Sequence, residues 1–144
     1  MGIREHFKDG FLISTDKGKL QLEEIHAYLS RSYWAENRSK EKVALSLPHS
    51  LCFGVYKDQR QVGLARVVSD YSTFAYLCDV YILEEHQHRG LGKWLMSIVM
   101  SHPDLQGLRL WSLLTRDAHG LYRQFGFTEL RFPERWMQIV DPLN

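Results

Sequence analysis

The residues best suited to chemistry lie in positions 79–96, DVYILEEHQHRGLGKWLM. A strand-like run ends in a polar patch, Gly90 and Gly92 bracket a leucine, and Lys93 opens a helical spacing. The first turn of a helix leaves its backbone N–H groups unpaired and carries partial positive charge. Glycine lets a ligand come close to that backbone, so the segment suits a phosphate or pyrophosphate. Arg89 and Lys93 flank it and offer charge-assisted contacts.

Three phosphate-binding patterns compete for this segment. A P-loop needs Ser or Thr after its lysine, and Lys93 is followed by Trp94. A dinucleotide fingerprint needs a third glycine and an early strand of a parallel sheet. Here that glycine is absent and three strand-like runs come first. The pattern left is Gln/Arg-x-x-Gly-x-Gly, met by Gln87, Gly90 and Gly92. Taken alone, so short a pattern is also what an ordinary helix start provides.

Other groups invite weaker readings. His86 and His88 alternate, but no Cys-x-x-Cys or His-Glu-x-x-His accompanies them, so no metal is expected and a loop role is favoured. His119 reads as a helix-start residue. Cys52 lies in the apolar run LCFGVY without an activating neighbour, and no Gly-x-Ser-x-Gly occurs.

These residues need a scaffold. With 144 residues and 44% apolar content, the chain has the length of one domain, 1–144, and can bury a core. A formal charge of +1 argues against a general nucleic-acid binder. No run approaches the roughly 20 apolar residues of a membrane span. The opening MGIREHFKDG lacks the apolar stretch of a signal peptide, and two cysteines suggest no exported scaffold. A soluble cytoplasmic protein is expected.

The spacing of Leu22, Ile25, Ala27 and Leu29 predicts a helix from Leu20, with Asp16 or Lys17 near its start. A second helix is expected over residues 39–47, stopping before Pro48. LCFGVYK and QVGLARVV read as strands joined at Asp58-Gln59-Arg60, and FAYLCDVYIL as a longer third strand, giving an antiparallel meander. A helix over the positions after the glycines ends at Pro103, LRLWSLL is another strand, and Asp117 caps a helix over 118–125 closed by Gly126. A last strand is expected over 136–140. The fold class is α/β (α+β): a mixed, mostly antiparallel central sheet flanked by helices.

With motif and element order together, the chain resembles the GNAT superfamily of N-acetyltransferases. Residues 87–92 resemble its motif A, and DAHGLYRQFGF resembles its motif B through Ala118, Leu121, Tyr122, Gly126 and Phe127. The resemblance covers most of the chain. It implies a single acyl-CoA N-acyltransferase domain with a V-shaped split between the family's fourth and fifth strands. It further implies acetyl-CoA as co-substrate, its arm pairing with the backbone of Val80, Tyr81, Ile82 and Leu83. The pyrophosphate would sit against Gln87, His88, Arg89, Gly90, Leu91, Gly92 and Lys93. Thr115 replaces an asparagine that many members place against the arm, and His88 replaces a glycine.

The resemblance also assigns Tyr122 to the departing sulfur, against the plain alternative of a core aromatic beside Leu121 and Phe125. For a general base it leaves Asp79, Glu84 and Glu85 open, and water beside them. Strand alternation puts Asp79, Tyr81 and Leu83 on one face and Val80 and Ile82 on the other. Tyr33 and Trp34 fall in the connection that borders the family's acceptor pocket. The implied activity is acetyl transfer to a primary amine, on a small molecule or peptide, by direct attack in a ternary complex. The alternative is a non-catalytic CoA-binding sensor or interaction module. A homodimer is left open, with an exposed strand edge or the region of Trp136 as its surface.

Overall fold

The computed structural model describes residues 2–142. Strands β1 (Glu5–Lys8) and β2 (Phe11–Ser14) precede helices α1 (Leu22–Leu29) and α2 (Lys40–Ser46). Then come β3 (Leu51–Lys57), β4 (Arg60–Ser69), β5 (Phe74–Ile82), α3 (Leu91–Ser101), β6 (Leu110–Leu113) and α4 (His119–Arg123). The six strands form one sheet in sequence order. All neighbours are antiparallel except β5 and β6, which α3 connects as a parallel pair.

The meander and its hairpin stand as expected. Asp58 and Gln59 both take positive φ, 49° and 70°, which a two-residue type I′ turn requires. The β1–β2 hairpin was not anticipated. Its signal is Asp9-Gly10, with φ of 53° and 81°, but the four-residue strands beside it are too short to show a period.

Strand β3 is buried along almost its whole length, so both sheet faces are covered. From α1 the buried residues are Ile25 and Leu29; from α3 they are Leu91, Leu95, Met96 and Val99. A reciprocal pair fixes α1 on β4: Gln21 N donates to Gln61 Oε1 at 2.8 Å, and Gln61 N donates to Gln21 Oε1 at 2.9 Å.

Several boundaries differ from expectation. Asp16 accepts from Gly18 N at 2.8 Å and starts a 3-10 turn, so α1 begins only at Leu22. Asp117 does not cap α4. Thr115 Oγ1 accepts from Ala118 N at 3.1 Å instead, and α4 is shorter than expected. The strand expected over residues 136–140 is not formed. A strand exists through its ladder partners, and this segment, exposed after the turn Pro133–Arg135, meets none among the described residues.

Candidate active site

Strands β5 and β6 part company at one end. Their ladder runs from Phe74 opposite Leu110 to Leu77 opposite Leu113, and then β5 continues to Ile82 paired with β4 but not with β6. Backbone groups on that side of residues 78–82 therefore face an opening rather than a neighbouring strand. A cavity of about 830 Å³ occupies it, lined by Val80, Tyr81, Ile82, Gln87, His88, Gly90, Gly92 and Tyr122 among others.

The glycine segment forms the mouth of this cavity. Gly90, at φ 81°, is the left-handed residue preceding α3, and no side chain caps the helix start. The amides of residues 90–93 find no acceptor among the described residues. A Cβ added at Gly90 or Gly92 would meet nothing within 4 Å, so the space before them is open. Gln87 Nε2 donates to the carbonyl of Ile82 at 2.8 Å and ties the loop to the end of β5. His88 holds a left-handed backbone at φ 65°, and Arg89 and Lys93 are exposed at the flanks. His86 instead packs edge-on against Phe11.

Tyr122 stands where the cavities meet. Its side chain is buried, its ring packs edge-to-face on Phe127 at 5.9 Å, and its hydroxyl makes no hydrogen bond among the described residues. Burial pushes the phenol up to about 12, so it is protonated near neutral pH and can donate. Thr115 lines the smaller cavity beside it.

Asp79 is brought to the centre, but in a bound condition. The ladder jumps from Arg66 opposite Cys78 to Leu64 opposite Tyr81, so Asp79 and Val80 together face Ala65 as a β-bulge. Asp79 takes φ 52°, which breaks the alternation expected from a regular strand. Its carboxylate accepts from Arg38 Nη1 at 2.8 and 3.0 Å, from Arg66 Nε at 2.8 Å and from Trp34 Nε1 at 2.9 Å. Glu84 is not brought to either cavity. It is exposed and paired with Arg31 at 2.7 Å, whose hydrogen bond holds its carboxyl below the usual range. Glu85 pairs with Arg60.

Tyr33 and Trp34 border both openings. Tyr33 carries the Arg116 guanidinium 3.9 Å over its ring and accepts from Arg116 N at 2.7 Å. Arg38 and Arg66 were not anticipated. Arg66 had a signal, a charge inside the apolar run QVGLARVV, whereas Arg38 lies in a polar stretch where one arginine stands out from nothing. Cys52 is buried, and desolvation raises its thiol to about 11, which suits packing. Among the described residues no group of three or more His, Cys, Asp or Glu is placed to hold a metal ion, and no helix is long and apolar enough to cross a membrane.

Residues 48–129 match the acetyltransferase (GNAT) domain family. The chain is 36% identical to a Gibberella zeae protein named a "putative acetyltransferase", over 84% of this chain and 81% of that one. A Xanthomonas campestris structure described in the same words, and as belonging to the GNAT family, shares 51% identity. It superposes with a TM-score of 0.90 over 92% of this chain and 94% of its own. At 9% identity, a Clostridium acetobutylicum structure described with acetyl-CoA shares the fold alone, with a TM-score of 0.64 over 96% and 95% of the two chains.

Proposed function

The chain belongs to the GNAT acetyltransferases, and from that premise we propose that it transfers an acetyl group from acetyl-CoA to a primary amine within a ternary complex. One observation carries this reading. The amides of residues 90–92, without acceptors among the described residues, belong to residues that line the same cavity as the edge of β5 and the Tyr122 side chain.

The residues fit such a co-substrate. Amides at the start of α3 take the diphosphate, and open space before Gly90 and Gly92 lets it approach. The edge of β5 over Val80, Tyr81 and Ile82 offers backbone pairing to an extended arm, with an N–H to polarise a carbonyl. Leu83, expected to share that role, lies beyond β5 and its N–H donates to the Val62 carbonyl at 2.8 Å instead. When bound, acetyl-CoA supplies the activated acetyl carbon. The acceptor nitrogen forms the new C–N bond to that carbon as the C–S bond breaks. Tyr122 gives its proton to the sulfur and recovers one from solvent, while water takes the proton lost by nitrogen.

Asp79 is better read as a positioning residue than as a base. Its carboxylate already accepts from three side chains, two of them cationic, and protonation would break those bonds. It holds Trp34 against the cavity. Glu84 lines neither cavity and its carboxylate is paired with Arg31.

The test is product formation. Incubation with acetyl-CoA and a broad panel of primary amines is expected to give N-acetylated product and free thiol in equal amounts. Protection of the fold by acetyl-CoA with no product from any amine would favour the second reading, a CoA-binding module, which the engagement of Asp79 makes worth testing.

A further inference from the structure

The smaller cavity, about 260 Å³, adjoins the first at Val80 and Tyr122 and is lined on its far side by Arg38, Arg66, Tyr76 and Asp79. Side-chain exposures there are 21% for Arg38, 13% for Arg66 and 2% for Asp79. Two largely buried cations thus share one anion. Buried charges are retained when paired, and the second guanidinium has no carboxylate of its own among the described residues. Asp117, on the same wall, is exposed and lies 3.8 Å from Arg116.

The donors tell the same story. Arg38 donates only from Nη1, and Arg66 only from Nε and, to Ser50 Oγ, from Nη1. Arg38 Nε and Nη2 and Arg66 Nη2 have no acceptor among the described residues, yet none is sealed from solvent. A guanidinium with free N–H groups in a partly dry cavity matches a carboxylate in charge and geometry.

Resting on the transferase reading, we propose that this cavity binds a carboxylate of the acceptor. The substrate class is then a small amine that also carries a carboxylate, of α-amino-acid size. Its amine would lie toward Val80 and Tyr122, and its carboxylate against Arg38 and Arg66. The volume is below the roughly 300–1,000 Å³ of drug-sized sites, which favours a small acceptor over a long one.

The experiment compares α-amino acids, each beside its carboxamide and its decarboxylated amine, in steady-state acetylation. At least one amino acid is expected to exceed both analogues about tenfold in kcat/KM, the factor a charge-assisted hydrogen bond supplies. Arg38→Gln should erase that preference through KM for the acceptor, with KM for acetyl-CoA unchanged, and Arg38→Lys should restore part of it. Calorimetric titration of N-acetylated amino acids and their amides, with CoA present, reads the site without turnover. Binding of an acid but not its amide, lost in Arg38→Gln, supports the carboxylate site even if no amine is acetylated, in which case the transferase reading alone fails. Equal handling of acids and amides in both assays overturns the proposal.

Discussion

The side-chain amide of Gln87 donates to the carbonyl of Ile82 at 2.8 Å, so the loop that presents the α3 amides is fastened to the last residue of β5. This joins the two halves of the proposed co-substrate site. A neutral hydrogen bond contributes about 1 kcal/mol. Gln87→Ala is therefore expected to raise the Kd of acetyl-CoA about fivefold, with kcat nearly unchanged, in a titration beside steady-state kinetics.

Gly92 separates stability from binding. Its φ is ordinary and a Cβ there would meet no protein atom within 4 Å. Gly92→Ala should raise stability by as much as about 1 kcal/mol through helix propensity. The same methyl group would stand in the path of the diphosphate, so acetyl-CoA affinity should fall. Thermal melts and calorimetry should move in opposite directions.

Removing the Tyr122 hydroxyl tests its place at the sulfur. Tyr122→Phe is expected to lower kcat by about 10²-fold or more, within the usual range for a positioned proton donor, while acetyl-CoA affinity changes little. Because burial raises this phenol to about 12, its own ionisation should not lower activity between pH 7 and 10. A small, equal effect on turnover and affinity would mark it as a packing residue.

Asp79→Asn leaves two largely buried arginines without their anion. Breaking such a network costs about 3–5 kcal/mol, and the melting temperature should fall accordingly. Steady-state kinetics of the folded variant should show the loss mainly in KM for the acceptor; a loss confined to kcat with both KM values unchanged would identify Asp79 as the base.

Stability should decline at high pH. Desolvation raises Cys52 from 9.0 to about 11, Cys78 from 9.0 to about 12 and Tyr122 from 10.0 to about 12, and it raises Tyr56 and Tyr81 as well. The unfolded chain then loses these protons first, so the folded state binds more protons above pH 9 and stability falls as pH rises. Melting temperatures should be flat below pH 9 in this respect and drop above it, less steeply in Cys52→Ala.

The sequence by itself determined the free amides at the start of α3, because helix spacing after Gly90 and Gly92 leaves them uncapped whatever surrounds them. It also determined β3, β4 and β5, whose period and turns are local properties. Only the tertiary structure decided which acids are free to act. A bulge opposite Ala65, set by pairing between strands, turned Asp79 into the grip of Arg38, Arg66 and Trp34, residues 41, 13 and 45 positions away. The fate of residues 136–140 likewise depended on an edge strand to receive them. Apolar pattern can propose a strand, but ladder hydrogen bonds are made between segments and no single segment contains them.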